Sequence, residues 1–298
     1  MVFEIRTAGP EDAVGIARVW TAAMPQLVKT ARGIEAELRS SRRRVALIAV
    51  DGSDVVGYGN VYLPDEGEQA PRVRISVQVP PDLRKRGIGG ALAEAICAEA
   101  AKAGAASLLV VVADDAESKE FATRRGFTIG RRLGHSSADL SAVPSPAPAP
   151  EGLRVVDYEQ VDPHELWLAV AAVADGDPSG LSQRPPYDEW LATEWSHPDL
   201  RRDLSVAVLD GDTVLSFVTT TADPDRRVIW SNLTGTIPAA RGRGLAKVVK
   251  SAALTRARDA GFVTALTGND AANAPMLAVN KWLGYQVSSA AWTAEKDL

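Results

Sequence analysis

Apolar residues follow two different periods along the chain, and the two periods alternate. Strand-like runs such as 45–50 and 55–63 are separated by Asp51-Gly52, which is typical of a tight hairpin. Segments such as 88–100 and 245–260 instead repeat their apolar residues every three or four positions, which indicates helices with one buried face. This alternation predicts a mixed α/β (α+β) fold, in which sheets are flanked by helices.

The same order of patterns occurs twice. Five landmarks of the first half recur in the second half at a nearly constant distance along the sequence. The pairs are Arg84 and Arg241, Gly87 and Gly244, and Ala103-Gly104 and Ala260-Gly261 (157 positions apart), Gly126-Phe127 and Gly284-Tyr285 (158), and Asp51-Gly52 and Asp210-Gly211 (159). Such agreement predicts a tandem duplication.

A proline-rich segment separates the two copies. Residues 142–150 contain four prolines and no large apolar side chain. This composition is typical of an extended, semi-rigid linker. We therefore predict an N-terminal domain over 1–141, a linker over 142–150 and a C-terminal domain over 151–298.

Two basic, glycine-rich turns lie where a phosphate could bind. Each turn, Arg84-Lys85-Arg86-Gly87-Ile88-Gly89 and Arg241-Gly242-Arg243-Gly244-Leu245-Ala246, follows a predicted strand and opens a predicted helix. The first amides of a helix have no intrahelical partner, and the helix dipole favours an anion beside them. Gly242 and Gly244 would let the backbone approach that anion closely. A solvated basic turn that only begins a helix is the alternative interpretation.

Composition narrows the class of function. The net charge of -5 disfavours a nucleic-acid-binding protein. The single cysteine, Cys97, cannot form an intramolecular disulfide, and the three scattered histidines give no metal-ligand spacing, so no metal is expected. The N-terminus lacks the apolar core of a signal peptide, and no stretch is long enough to cross a membrane. These features predict a soluble, cytoplasmic protein.

In their context, the two turns resemble the CoA-binding motif of the GNAT superfamily of acyl-CoA-dependent N-acyltransferases. Both turns match the pattern Gln/Arg-x-x-Gly-x-Gly/Ala, and both are followed by a strand, a helix and Gly-Phe or Gly-Tyr. The tandem layout is similar to that of two-domain actinobacterial acetyltransferases of the mycothiol synthase type, in which the C-terminal half is the active one. The resemblance implies two tandem GNAT-like domains, each a mixed, largely antiparallel sheet flanked by helices.

The resemblance also implies acetyl-CoA as co-substrate, bound by the second half. Its pyrophosphate would lie on the main-chain amides of the turn, and the strand that precedes the turn would pair with the pantetheine arm and polarise the thioester carbonyl. Asn269 and Asn273 would contact the CoA arm, although turn and helix-cap roles are the alternative. The predicted contacts are Thr236, Ile237, Arg241, Gly242, Arg243, Gly244, Leu245, Ala246, Lys247, Asn269 and Asn273.

The first half carries fewer of these features. Its segment 114–119 contains no asparagine, and the strand before that segment is plain and apolar. We therefore predict that this half is degenerate or structural, although it could still bind CoA. The residues that would do so are Val79, Arg84, Arg86, Gly87, Gly89 and Gly90.

The groups that would move protons depart from the family pattern. Many members carry a tyrosine four residues before the glycine of Gly-Phe, which protonates the leaving thiolate, and these positions are Ala122 and Asn280 here. A thiol with a pKa of ~8.5 leaves partly ionised, so Asn280 could serve by orienting the sulfur. Members often carry an acidic general base on the strand before the motif, where the second half offers Ser231, Asn232 and Thr234.

The remaining candidates lie in a loop and helix that would roof the acceptor pocket. We predict that Asp177 attracts a cationic amine and takes its proton, with a solvated turn as the alternative. Trp190 and Trp195 are five residues apart, so we expect them not to stack on one face of a helix, with at least one in the core. The other titratable candidates are Asp175, Asp188, Glu189, Glu194 and His197.

The predicted function is transfer of an acetyl group from acetyl-CoA to the primary amine of a small molecule, with the chemistry in the C-terminal domain. A non-catalytic acyl-CoA-binding pseudoenzyme or sensor module is the alternative, which the absent tyrosine and strand acid favour. The expected partner is a small-molecule amine, without nucleic acid or membrane. Two fused domains are compatible with a monomer, as a pseudo-dimer of domains, or with a homodimer.

Overall fold

The chain forms two compact units whose limits differ from the predicted domains. The computed structural model describes residues 2–40, 43–64, 70–174 and 185–298. The first unit comprises Met1–Arg132 together with Ala290–Leu298, and the second comprises Leu133–Ser289. The proline-rich segment 142–150 therefore lies within the second unit, and the end of the chain belongs to the first.

The first unit is a mixed sheet with helices. The strand order is β1-β2-β3-β4-β5, followed by the C-terminal strand of the chain, and β4 with β5 is the parallel pair among otherwise antiparallel neighbours. Its elements are β1 (Glu4–Thr7), α1 (Ala13–Ala23), α2 (Ala31–Ser40), β2 (Arg44–Asp51), β3 (Asp54–Tyr62), β4 (Arg72–Gln78), α3 (Ile88–Lys102), β5 (Ser107–Ala113), α4 (Ala116–Thr123) and the beginning of β6 (Thr128–Asp139).

The second unit repeats this plan. The strand order is β6-β11-β10-β9-β8-β7, and β10 with β11 is the parallel pair. After the end of β6, its elements are β7 (Arg154–Asp157), α5 (Pro163–Ala174), α6 (Tyr187–Trp190), β8 (Val206–Asp210), β9 (Thr213–Asp223), β10 (Val228–Thr236), α7 (Leu245–Asp259), β11 (Thr264–Asp270), α8 (Ala274–Trp282) and the beginning of β12 (Gln286–Asp297). In each unit the strands form a mixed, largely antiparallel arrangement with helices, which confirms the predicted fold class.

The last strand of each unit comes from the other copy of the repeat. In the first unit, β5 pairs with residues Ala291–Asp297 of β12. In the second unit, β11 pairs with residues Leu133–Asp139 of β6. The alternation of apolar residues along a strand determines which face is buried but not which edge the strand joins, so this exchange was not visible in the sequence.

The hairpin signals and the helix periodicity are confirmed. Gly52 and Gly211 take φ values of +63° and +57°, which favour glycine, in the turns between β2 and β3 and between β8 and β9. In α3, Ile88, Leu92 and Ile96 are at most 1% exposed and lie four residues apart on the buried face.

The proline-rich segment is ordered against α7. The N–H of Ala147 donates to Ser251 Oγ over 2.9 Å. Ala147 and Ala149 also pack against the cluster that contains Val248 and Val249. These contacts explain why the segment belongs to the second unit.

The expectation that Trp190 and Trp195 do not share one face of a helix was wrong, whereas the expectation that at least one of them lies in the core is confirmed. The helix α6 continues into a π-helical turn over Leu191–Trp195. In a π-helix, residues five apart become neighbours, and the two indole rings lie 5.8 Å apart. Trp190 is buried, and Trp195 stacks on Tyr158 at 5.9 Å.

Among the helices of the described residues, none combines the length and the apolar character that a membrane span needs. The His, Cys, Asp and Glu side chains of the same residues include no group of three or more that could hold a metal ion.

Candidate active site

In the second unit, β10 and β11 pair over four residues and then separate. Their last pair is Ser231 with Thr267, although β10 continues to Thr236 and β11 to Asp270. The pairing of β10 with β9 shifts its register between Ser231 and Thr234, which bends β10 at this point. Beyond the last pair, the edge of β10 that faced β11 has no partner among the described strands, so this edge can pair with an extended ligand.

The glycine-rich turn after β10 leaves space for an anion. Gly242 and Gly244 have φ values of +78° and +76°, in the left-handed region that glycine tolerates. A Cβ at either position would meet no described atom within 4 Å. The helix α7 begins directly afterwards at Leu245, and no side chain caps its first amides. The turn therefore presents open backbone N–H groups at a helix N-terminus.

Three cations surround this turn. Arg241 Nε donates to Thr236 O over 3.2 Å, so its side chain lies against the end of β10. Lys247 Nζ lies 5.3 Å from the centre of the Trp282 ring. Arg243 is exposed and forms no ion pair with any residue in the described part of the chain. Positive charge is therefore available for a phosphate.

The corresponding turn of the first unit has a similar backbone conformation. Gly87 takes φ +87°, close to the value of Gly244, and Lys85 takes φ +60° at the position of Gly242. A non-glycine residue in this conformation costs roughly 1 kcal/mol. Arg86 donates to a backbone carbonyl of the preceding turn. The duplicated turns have therefore retained their shape.

Acidic side chains neutralise the turn of the first unit. Arg84 lies 4.0 Å from the carboxylate of Asp115, and Lys85 lies 2.6 Å from that of Glu117. Both acids stand at the beginning of α4, where the second half has Asn273 and a proline. These carboxylates pair with the cations that a phosphate would need, and they would repel a phosphate.

Bulky side chains also cover the beginning of α3. A Cβ at Gly89 would lie 3.5 Å from the Phe121 ring and 3.6 Å from Val79, and a Cβ at Gly90 would lie 3.0 Å from Arg125. The guanidinium of Arg125 lies 3.7 Å from the centre of the Phe121 ring. At Gly87, which corresponds to Gly244, an added Cβ would meet only Phe3, at 4.0 Å, so the two turns differ in the side chains around them and not in the space at this glycine.

A buried polar chain links α7, α8 and β11 in the second unit. Lys250 is 1% exposed, and its Nζ donates to Asn280 Oδ1 over 2.8 Å. Asn280, also buried, donates from Nδ2 to Asn269 Oδ1 over 2.5 Å. Lys250 Nζ lies 5.0 Å from the centre of the Tyr285 ring. Burial lowers the pKa of the Lys250 amine to about 7.

The corresponding residues of the first half are apolar. At the repeat offsets of 157 and 158, Lys250, Asn280 and Asn269 correspond to Ala93, Ala122 and Val111. Lys250 was not singled out from the sequence. The signal that could have found it is a lysine between the fully buried Val249 and Ser251, on the stripe of α7 that faces the core.

A histidine of β6 and a tryptophan of β10 lie over the opposite face of β11. His135 of β6 pairs with Gly268 of β11, and its ring lies 6.2 Å from that of Trp230. A Cβ at Gly268 would lie 3.1 Å from the Trp230 ring, so the glycine makes room for both rings. His135 Nδ1 lies 3.4 Å from Ser289 Oγ. Burial lowers the pKa of the His135 ring below its usual 6.5, so the ring is largely neutral at pH 7.

The other residues predicted from the sequence lie in different environments. Asn273 caps α8, because its Oδ1 accepts from Met276 N over 3.3 Å. Ser231 is buried with its Oγ 3.3 Å from Tyr285 Oη, whereas Asn232 is exposed. Asp175 and Asp177 lie outside the described residues. The remaining positions are Thr234 and Glu189 (half-buried), Asp188 and Glu194 (exposed), and His197, whose Nδ1 accepts from Asp199 N over 3.1 Å.

Comparison with known proteins confirms the resemblance drawn from the two turns. A family model described as acetyltransferase (GNAT) family matches residues 15–127 and again 162–285. A mycothiol acetyltransferase of Streptomyces coelicolor is 28% identical over 245 residues, which cover 80% of this chain and 75% of that protein. A second, from Segniliparus rotundus, is 27% identical over 85% of this chain and 95% of its own length.

Solved structures agree on the fold. A tandem GNAT protein from the clavulanic acid biosynthesis pathway superposes with a TM-score of 0.76 at 19% identity, covering 99% of this chain and 98% of its own. A GCN5-related N-acetyltransferase from Sphaerobacter thermophilus gives 0.73 at 16% identity, covering 99% and 95%. Both matches extend over the two copies of the repeat.

Proposed function

The chain belongs to the acetyltransferase (GNAT) family, and we propose that it transfers an acetyl group from acetyl-CoA to the primary amine of a small molecule, with the chemistry in its second unit. The observation that carries this proposal is the separation of β10 from β11 after Ser231, directly before an open glycine turn. The first unit has the same strand separation after Arg74, but two cations of its turn, Arg84 and Lys85, face the carboxylates of Asp115 and Glu117.

The residues of the second unit fit acetyl-CoA. The open space at Gly242 and Gly244 suits a pyrophosphate on the first amides of α7, with Arg243 and Lys247 nearby. The edge of β10 without a strand partner suits the amide groups of the pantetheine arm, and an arm bound there would bring the thioester close to the point where the strands separate. Acetyl-CoA supplies an acetyl group activated as a thioester, and the protein supplies the backbone donors that hold it.

We further propose that His135 takes the proton from the acceptor amine. A primary amine has a pKa near ~10 and must lose a proton before it can attack. The His135 ring is neutral near pH 7, and its Nε2 makes no hydrogen bond to any described residue. Asp270 lies on the same face of β11, two residues from Gly268. Asp177 stays a prediction from the sequence for the same role.

Relatives named mycothiol acetyltransferase make a mycothiol-related amine the first acceptor to test. Polyamines, amino sugars and peptide N-termini complete the panel, because each offers a primary amine.

Matched substitutions in the two turns test where acetyl-CoA binds. Gly244→Glu should weaken acetyl-CoA binding by about 100-fold or more, because it places a carboxylate in the space meant for phosphate. Gly87→Glu carries the same change at the same backbone conformation, and it should leave the affinity unchanged. Calorimetry gives the affinities, and release of the CoA thiol with the amine panel gives turnover.

Other results of these binding and turnover measurements would favour a different site or a different function. If only Gly87→Glu abolished binding, the site would lie in the first unit. Binding without turnover for any amine would favour the non-catalytic alternative. Absence of acetyl-CoA binding to the unaltered protein would refute both.

Replacement of the buried histidine tests the proposed base. His135→Gln should lower kcat by about 100-fold, in the range that general-base catalysis contributes, without changing the affinity for acetyl-CoA. Because the base must be neutral, the unaltered enzyme should lose activity as the pH falls through the lowered pKa of His135, and the variant should lack this dependence. His197→Gln is the matched control. An equal loss in both variants would count against His135.

A further inference from the structure

The second unit buries a lysine without an acidic partner. Lys250 is 1% exposed, and its amine contacts the amide oxygen of Asn280 and the face of the Tyr285 ring. No aspartate or glutamate in the described part of the chain forms an ion pair with it. A buried ammonium without a counter-ion is strongly unfavourable, and desolvation alone accounts for the lowered pKa of this amine.

The polar chain that begins at Lys250 ends where the strands separate. Asn269 lies on β11 two residues beyond Thr267, the last residue paired with β10, and is half-buried. On the β10 side, Ser231 Oγ lies 3.3 Å from Tyr285 Oη. Residues of α7, α8, β10 and β11 therefore meet at the base of the opening between the strands. The first half has apolar residues at the three positions that correspond to Lys250, Asn280 and Asn269, although its strands separate in the same way.

We propose that Lys250 is the electrostatic partner of the thiolate that leaves during acetyl transfer. This inference rests on the proposed function. In that reaction the amine nitrogen bonds to the acetyl carbon, the carbon–sulfur bond breaks with its electron pair on sulfur, and the surplus proton of the amine goes to the base. The sulfur then carries a negative charge at the strand opening, and a cation below it stabilises that charge.

Lys250 acts through the two asparagines and is a positioning residue. Its N–H fixes the Asn280 amide, which in turn donates its own N–H to Asn269 beside the opening. The coupling is reciprocal, so a thiolate in the opening would also increase the proton affinity of Lys250. The thiolate that forms in the reaction is, in this proposal, the counter-ion that the buried lysine otherwise lacks.

The pKa of the bound CoA thiol tests this role without requiring turnover. Free CoA and CoA bound to the protein are titrated by the ultraviolet absorbance of the thiolate. The unaltered protein should lower the thiol pKa by about one unit or more, as a nearby opposite charge does, and Lys250→Met should restore the value of free CoA. Lys250→Met should also lose a preference of about 10-fold for CoA over desulfo-CoA, which lacks the sulfur.

Two further variants separate charge from structure. Asn280→Asp keeps the shape of the site but gives Lys250 a carboxylate, so it should also restore the thiol pKa of free CoA. Lys281→Met removes an exposed lysine from the same helix as Asn280 and should keep the lowered value. A thiol pKa that is the same in the unaltered protein and in Lys250→Met would overturn the inference while leaving the proposed function in place. If the unaltered protein did not bind CoA, both would fall.

Discussion

Deletion of residues 290–298 is expected to destabilise the first unit, although these residues end the chain. They include the strand that pairs with β5 over seven residues, from Ala291 to Asp297, and they bury Ala291 and Ala294. Backbone hydrogen bonds alone contribute about 1 kcal/mol each, so the loss should reach about 5 kcal/mol. A domain has only about 5–15 kcal/mol of stability in total, so this is the largest effect we expect.

Hydrogen exchange would locate this effect. In the truncated protein, the amides of β5 should exchange rapidly, whereas those of β9 and β10 should stay protected. Ala294→Asp, at a fully buried position, should reproduce much of the loss, and Glu295→Ala, at its exposed neighbour, should not. If β5 kept its protection after truncation, the pairing with β12 would be contradicted.

Lys250→Met is expected to stabilise the second unit near neutral pH. The pKa of Lys250 is about 7 in the folded protein and near 10.5 in the unfolded chain. The unfolded state therefore binds more protons between these values, and the stability of the unaltered protein rises with pH across that window. The shift corresponds to a cost of about 4 kcal/mol at pH 7. Loss of the bond to Asn280 offsets about 1–2 kcal/mol, which leaves a net gain of about 2 kcal/mol.

The pH dependence of the difference is the decisive measurement. Urea unfolding of both proteins should show the difference between them narrowing by about 2 kcal/mol from pH 7 to pH 9, because Lys250 is neutral in a growing fraction of unfolded chains. Lys281→Met, at an exposed lysine, should show no such trend. A constant difference at both pH values would mean that Lys250 does not titrate in this range.

Taken together, these predictions mean that Lys250 lowers the stability of the second unit and supports the reaction. A buried residue that costs stability is retained where activity requires it. A variant that is more stable but no longer lowers the thiol pKa of CoA would fit this pattern. A variant that is less stable at pH 7 would instead indicate that the amine serves mainly to join α7 to α8.

Local features were predictable because they depend on neighbouring residues. The turns at Gly52 and Gly211 follow from the positive φ that an Asp-Gly hairpin requires, and the buried face of α3 follows from apolar residues four positions apart. Spacing alone failed for Trp190 and Trp195, since the local change to π-helical hydrogen bonding altered which residues are neighbours. The apolar pattern of α7 likewise did not reveal that packing against α8 buries Lys250.

The sequence by itself determined that the chain is duplicated and where its two glycine turns lie, because backbone preferences and repeat offsets depend only on the order of the residues. Only the tertiary structure decided which turn has acidic side chains beside its cations, which lysine is buried, and which strand completes each unit. The exchange of β6 and β12 is the clearest case, since it brings His135 of the first copy beside Gly268 of the second. Period-two alternation specifies the buried face of a strand, and only packing of the whole chain selects the edge that the strand joins.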